Sequence, residues 1–166
     1  MLLEATSRRR GARLRWKSQA MAIVRGCVLD DDLLYDVENN IWYRENEDGT
    51  VTVGMSAVAA AMAGDLVAVT FKKVGRTVKP GRSCATVESG KWVGPAKLAS
   101  GGEIIEVNVE VAARPVIANQ DPYGQGWFVR VRPENWADTK AQLTTGDAIG
   151  PAYEAKMEAD QFEGCA

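Results

Sequence analysis

The sequence predicts a mostly β domain, a small flattened barrel or sandwich with short helices and a C-terminal helix. Short runs rich in β-branched residues recur along the chain, and glycine-containing turns separate them. From Trp136 onward the pattern changes to apolar residues at helical spacing. A length of 166 residues suits one domain with a single core.

The first predicted elements follow an acidic, irregular stretch over residues 27–40. Residues 41–44 and 50–53 form a hairpin, and Asp48-Gly49 is the best candidate for its turn. Ser56 is then placed to cap a short alanine-rich helix that ends at Gly64.

A strand over residues 65–71 leads into a second hairpin, whose arms are residues 84–89 and 92–98. Gly90-Lys91 fits a two-residue turn of type II′, which takes glycine first. Lys91 would then project from the apex. Lys97, in contrast, is predicted to lie in or near the returning strand, where a long cationic side chain is ordinary.

The remaining pattern comprises two strands and a helix. Residues 104–111 alternate as a half-buried strand does. After a turn-rich region, residues 127–133 form another strand. Toward the C-terminus, a loose helical spacing is shared by Leu143, Ile149, Tyr153, Met157 and Phe162. The C-terminal helix itself is predicted to start near Gly150-Pro151.

Charge is unevenly distributed. Residues 1–20 hold six basic residues and one acidic residue, a net charge of +5, so residues 21–166 carry −7 of the chain's total of −2. Residues 1–20 are interpreted as a basic, disordered extension upstream of a natural start at Met21. Because the remainder is acidic, no nucleic-acid surface is expected on it. No apolar run is long enough for a bilayer, so no membrane partner is expected.

Histidine is absent, which removes the commonest general base and the commonest metal ligand. The three cysteines show no paired spacing, so no metal site is expected. An odd number of cysteines without a secretory signal indicates a reducing cytoplasm. Cys84 is predicted to be a buried apolar residue. Cys27 and Cys165 flank the domain and are interpreted as two unrelated thiols, with a redox pair as the alternative.

Four stretches in order carry a resemblance: VGMSAVAAAMAGDLVAV, VGRTVKPGRSCATVESGKW, SGGEIIEVN and NQDPYGQGWFVRVRP. They resemble the glycine cleavage H proteins, lipoyl-carrying members of the biotinyl/lipoyl-domain fold. In that family an E-S-x-K motif precedes, at a fixed interval, a serine-glycine turn and a glutamate. ESGK and SGGE reproduce this interval. The resemblance implies a flattened barrel-sandwich hybrid and lipoate in amide linkage to Lys91. It also implies that residues 21–166 form the lipoyl domain with its C-terminal helical segment.

The resemblance further implies a carrier that is not itself an enzyme. Expected partners are a lipoate-protein ligase or other lipoylating enzyme and dihydrolipoyl dehydrogenase. Glu88, Ser89, Gly90 and Trp92 are candidates for recognition of the lysine hairpin; plain strand polarity remains open for Glu88 and Ser89. Trp92 is either a surface for the lipoyl ring or a partner, or a residue that packs at the hairpin end.

Two features depart from a typical H protein: Trp92 and Val93 after the lysine with Gly90 before it, and the terminal cysteines Cys27 and Cys165. They resemble the lipoate-binding proteins of the sulfur-oxidising heterodisulfide-reductase-like system, which implies sulfur-containing cargo and that complex as a partner. One alternative is the glycine cleavage H protein itself, which carries an aminomethyl group. A second alternative is an unmodified interaction module of the same fold.

Overall fold

A computed structural model describes residues 20–165. The predicted basic extension over residues 1–20 therefore lies outside the described residues, except for its last position. The described chain is mostly β, with short helices and a C-terminal helix, which confirms the predicted fold class.

Eleven strands form three antiparallel sheets within residues 20–165. The strands, in chain order, are β1 Met21–Val24, β2 Cys27–Asp30, β3 Leu34–Asp36, β4 Ile41–Glu45, β5 Val51–Met55, β6 Leu66–Phe71, β7 Thr77–Val78, β8 Ser83–Ser89, β9 Val93–Lys97, β10 Gly102–Val107 and β11 Val129–Pro133. A six-stranded sheet has the order β3-β4-β5-β11-β10-β7, a three-stranded sheet the order β6-β8-β9, and β1 pairs with β2.

Five short α-helices and one 3₁₀ turn (Gly146–Ala148) accompany these sheets in the described part of the chain. The helices are α1 Ala57–Ala63, α2 Val109–Ala113, α3 Ile117–Gln120, α4 Trp136–Gln142 and α5 Ile149–Ala159. The predicted caps of α1 are confirmed. Ser56 Oγ accepts a hydrogen bond from Ala59 N–H, and Gly64 ends the helix with φ of 78°.

The main core lies between the six-stranded and three-stranded sheets. Its members come from both layers, among them Val53, Val87, Leu98, Ile104 and Phe128, each at most 1 % exposed. Burial of apolar area at about 25 cal/mol per Å² makes this sandwich the main stabilising element. The hairpin β8–β9 is anchored on this core by its inward-facing residues.

A second apolar cluster joins the two ends of the described chain. Ile149, Tyr153 and Met157 on α5 are buried at a helical spacing, as the sequence predicts, and pack with Leu29 of β2 and Trp42 of β4. The cluster therefore fixes the N-terminal hairpin and the C-terminal helix against one another.

The predicted strand over residues 104–111 is wrong beyond Val107. A bulge between Ile104 and Glu106 breaks the alternation. Asn108, 5 % exposed, then accepts a hydrogen bond from Glu110 N–H and starts α2. The run of β-branched residues thus divides between a strand and a helix, and Val109 is 69 % exposed.

The irregular stretch predicted over residues 27–40 is also corrected, because it contains β2 and β3. Its first strand pairs with β1 through a tight turn at Arg25 and Gly26, with φ of 49° and 79°. Among residues 20–165, no helix has the length and apolar composition needed to span a bilayer.

Candidate cofactor-attachment site at the Lys91 hairpin

The β8–β9 hairpin ends in a two-residue tip. Glu88 pairs with Val93, and Ser89 N–H donates to Trp92 O at 2.8 Å, so that Gly90 and Lys91 form the tip. Ser89 is buried, and its hydroxyl oxygen accepts from Lys91 N–H at 3.4 Å. Ser89 therefore stabilises the turn itself, which favours a structural role for this residue.

The turn type predicted from sequence is wrong. Type II′ requires positive φ at its first central residue. Gly90 is not among the glycines with positive φ, and neither it nor Lys91 is left-handed. Glycine is therefore not required here by backbone conformation, and a Cβ added at Gly90 would meet no atom within 4 Å.

The Lys91 side chain is exposed at the hairpin tip. Within residues 20–165, its ammonium group forms no ion pair or hydrogen bond that would hold it. Its Cε lies 3.5 Å from the position that a Cβ on Gly64 would take. The stem therefore passes over the C-terminal end of α1, while the amine stays accessible to a modifying enzyme. Lys97, the other lysine of this hairpin, pairs with Ser83 within the sheet and is exposed on its outer face.

An apolar cleft of about 480 Å³ opens beside Lys91. This Lys91 cleft is lined by Met55, Ala59, Met62, Ala63, Trp92 and Pro95, with Asn39 and Asn40 at its polar side. Its volume is within the roughly 300–1,000 Å³ typical of small-molecule sites. A primary amine beside an apolar cleft of this size fits a lysine-bound group with an aliphatic chain, such as lipoate.

The sequence left two roles open for Trp92, packing at the hairpin end and an exposed contact surface, and its position is compatible with both. Its ring covers Gly94 so closely that no Cβ would fit there, which is packing at the hairpin end. The residue nevertheless remains 43 % exposed and lines the Lys91 cleft. Glu88 and Val93 are exposed on either side of the tip. Recognition of this surface by a lipoylating enzyme stays a prediction for Glu88, Ser89, Gly90 and Trp92.

The structure pairs Cys27 and Cys165 in a disulfide across 138 residues of sequence. The interpretation as two unrelated thiols is therefore corrected. We call this region the Cys27–Cys165 junction. Cys165 N–H donates to Arg25 O at 2.9 Å, and the Arg25 guanidinium donates to Phe162 O and to Glu154. The position of both cysteines at the ends of the domain allowed a pair as the alternative, but the choice between the two interpretations depends on how the two ends pack.

Cys84 lies at the start of β8 and is fully buried, as the sequence predicts. Burial raises the pKa of its thiol to about 12, because an apolar environment disfavours the thiolate. Cys84 is therefore an apolar core residue without nucleophilic reactivity at neutral pH.

Tyr123, in the turn-rich region before β11, has a structural role that reaches beyond its own loop. Its hydroxyl donates to Val28 O at 2.7 Å and accepts from Ala57 N–H at 3.0 Å, so it ties the start of α1 to β2. Burial raises the pKa of Tyr123 to about 12, which keeps it a donor. Within residues 20–165 no group of three or more His, Cys, Asp or Glu side chains is arranged to hold a metal ion.

These features together define a class of protein. A β-sandwich that presents an exposed lysine at a hairpin tip, beside an apolar cleft, has the geometry of a carrier domain.

Comparison with known proteins identifies the family. A model of the family described as Glycine cleavage H-protein matches residues 33–156. Glycine cleavage system H protein 5 of Aquifex aeolicus (strain VF5) is 51% identical over 127 residues, 74% of this chain and 85% of the relative. A probable glycine cleavage system H protein 2 of Sulfurisphaera tokodaii is 44% identical over 130 residues, 77% of this chain and 87% of the relative.

A solved structure agrees with these relatives. The crystal structure of a glycine cleavage system H protein from Mycobacterium marinum superposes with a TM-score of 0.66 and 32% sequence identity, over 78% of this chain and 99% of that one. The chain belongs to the glycine cleavage H-protein family, whose members are lipoyl carriers.

Proposed function

We propose that this chain carries lipoate in amide linkage to Lys91 and passes an aminomethyl group between enzymes of the glycine cleavage system. The observation that carries the proposal is the position of Lys91, exposed at a hairpin tip beside an apolar cleft. The names of its relatives favour this cargo over a sulfur-containing one.

The geometry suits a tethered carrier. Lipoate supplies a dithiolane that accepts a transferred group or opens to a dithiol. Amide formation removes the charge of Lys91 and lets the extended stem lie along apolar surface. A flexible tether on a docked carrier gives an effective concentration on the order of millimolar at the partner's site. The protein's own contribution is to present the amine, to shield the attached chain in the Lys91 cleft, and to offer Glu88, Trp92 and Val93 as a contact surface.

The partners follow from this role. We infer a lipoate-protein ligase or other lipoylating enzyme to form the amide, and dihydrolipoyl dehydrogenase to reoxidise the dithiol. For the proposed cargo, glycine decarboxylase loads the carrier and a folate-dependent transferase unloads it. We propose the cytoplasm as the location of this cycle.

The test is lipoylation itself. Wild-type protein coexpressed with a lipoate-protein ligase and supplied with lipoate should gain the mass of one lipoyl group on the peptide containing Lys91. Lys91→Arg should gain none, because a guanidinium does not form the amide. Lys97→Arg is the matched control and should be modified like wild type. Unmodified wild-type protein would contradict the carrier proposal and leave the unmodified interaction module as the explanation.

A second candidate cargo is a sulfur-containing intermediate of a heterodisulfide-reductase-like oxidation system. Two observations favour it: the Cys27–Cys165 disulfide, and Trp92 beside the lysine.

The two cargoes are distinguished by which group the lipoylated protein acquires. Lipoylated protein mixed with glycine decarboxylase, its pyridoxal cofactor and glycine should acquire an aminomethyl group, measured by peptide mass. If it stays unloaded while protein from the native host carries additional sulfur on Lys91, the second cargo replaces the first.

A further inference from the structure

A second groove runs along α1, on the side away from the Lys91 cleft. This α1 groove has a volume of about 590 Å³, and its lining includes Cys27, Cys165, Ala57, Ala61, Gly64 and Asn119. At its start, Cys165 Sγ lies 3.9 Å from the carbonyl oxygen of Ala57, the first residue of the helix. At its other end lies Gly64, the residue that ends the helix.

The Lys91 stem lies close to the Gly64 end of this groove. Its Cε lies 3.5 Å from the position of a Cβ on Gly64. Since Gly64 lines the groove and has no side chain, it places no side-chain atom between the lysine stem and the groove. The same residue thus borders the proposed attachment point and the groove that contains the disulfide.

The distances match. Seven residues of helix, from Ala57 to Ala63, extend over about 10 Å at 1.5 Å per residue. A lipoyl chain has seven to nine bonds between the lysine nitrogen and its sulfur atoms, and its extended length is also about 10 Å at roughly 1.25 Å per bond. An arm on Lys91 that lies along the α1 groove is therefore long enough to span the helix toward Cys165.

We propose that the Cys27–Cys165 disulfide is an internal redox partner of the lipoyl group on Lys91, an inference that depends on the proposed function. The disulfide accepts two electrons from the reduced, dithiol form of that group. The Sγ–Sγ bond between Cys27 and Cys165 breaks, one S–S bond forms between the two sulfur atoms of the dithiol, and their two protons end on the two cysteine thiols. Atoms and charge balance without another reactant.

Thiol–disulfide exchange needs one sulfur atom that an incoming thiolate can reach, and the two cysteines differ in their exposure accordingly. Cys165 is exposed at the groove, whereas Cys27 is 1 % exposed and lies beneath it. Attack by an incoming thiolate is therefore directed to Cys165 Sγ, with Cys27 as the leaving thiol.

The pair is also held together without its covalent bond. Cys165 N–H donates to Arg25 O, and Arg25 bonds Phe162 O at 2.9 Å and Glu154 Oε1 at 2.8 Å. These contacts keep the tail on the β1–β2 turn after reduction. The two thiols then remain adjacent, so that the disulfide can form again. This property distinguishes a reversible redox pair from a purely structural disulfide.

The experiment uses lipoylated protein whose modification on Lys91 has first been verified by mass. Under anaerobic conditions, NADH and a catalytic amount of dihydrolipoyl dehydrogenase reduce the arm. Acid quenching and N-ethylmaleimide then label free thiols, and peptide masses report Cys27 and Cys165. We expect both cysteines to be labelled at least tenfold faster than in Lys91→Arg, which cannot bear the arm. A smaller difference would overturn the proposal.

Two further measurements test the route. Ala61 is exposed on α1 and lines the groove, so Ala61→Trp should slow reduction of the disulfide about tenfold. Ala155→Trp, at an exposed position of α5, is the matched control and should leave the rate of reduction unchanged. The second measurement separates the arm from the disulfide: lipoylated Cys27→Ser/Cys165→Ser protein supplies the arm, and Lys91→Arg supplies the disulfide. Reduction of the disulfide in this mixture should be slower than its reduction in wild-type protein, where both groups lie in one chain. Equal rates in either comparison would overturn the internal route.

Failure of this inference differs from failure of the proposed function. If no lipoyl group is found on Lys91, the proposed function fails before the reduction step. If Lys91 is lipoylated and the disulfide stays closed, the disulfide is purely structural and the carrier proposal stands.

Discussion

The Lys91 hairpin and the Cys27–Cys165 junction lie at opposite ends of α1, and different kinds of contact build them. The hairpin is local: its tip is closed by Ser89 and Trp92, three residues apart. The junction brings together residues 138 positions apart and depends on Arg25, α5 and the disulfide. The comparison indicates that the attachment tip contributes little to stability, whereas the junction contributes much.

Removal of the disulfide should have the largest effect on stability. For a closed loop of 138 residues, chain entropy alone gives an upper value of about 5 kcal/mol, and native disulfides typically contribute about 2–4 kcal/mol. We therefore expect Cys27→Ser/Cys165→Ser to lower the free energy of unfolding by about 2–4 kcal/mol, measured by urea unfolding.

Two controls accompany this measurement. Wild-type protein in reducing agent should match the double variant, and Lys91→Arg should stay within about 0.5 kcal/mol of wild type. An unchanged urea midpoint in the double variant would contradict the stabilising role of the junction.

A pair of glycine substitutions should give the next largest effect. Gly64 has φ of 78° and ψ of −175°, a region that is essentially confined to glycine, so Gly64→Ala should cost about 1–3 kcal/mol. Gly90 lacks positive φ and has open space at its Cβ position. Gly90→Ala should therefore stay within about 0.5 kcal/mol of wild type. Equal losses in the two variants by urea unfolding would show that the tip is as constrained as the helix end.

Local signals in the sequence predicted the elements that local interactions specify. Ser56 and Gly64 bound α1, and Gly49, with φ of 83°, forms the turn predicted between β4 and β5. The Gly90-Lys91 tip was found in the same way. The predicted turn type was wrong because glycine permits several backbone conformations, so that the pairing of β8 with β9 determines the conformation of the tip.

The other failures share one cause, which is contact with distant residues. The alternating run after Ile104 ends early because Asn108 Nδ2 donates to Gln125 O and Trp127 O, each at 2.8 Å, and the same side chain caps α2. The β1–β2 hairpin was missed because it is stabilised by packing on α5. Nothing near Cys27 in the sequence identifies Cys165 as its partner.

The smallest effect is expected for chemical labelling of Cys84, the cysteine of strand β8 in the lysine hairpin. Burial disfavours the Cys84 thiolate and raises the thiol pKa to about 12, so the fraction ionised at pH 8 is on the order of 10⁻⁴. In folded, reduced protein, iodoacetamide should label Cys165 first and leave Cys84 unlabelled, as followed by peptide mass. Because the thiol is buried and its pKa lies above the working range, Cys84 should stay unlabelled as the pH rises from about 7 to about 9 while the fold persists. Urea should expose it at constant pH. Labelling of Cys84 as fast in folded as in unfolded protein would mean that the strand leading to the lysine opens readily, and the hairpin would then be a less rigid support than its register indicates.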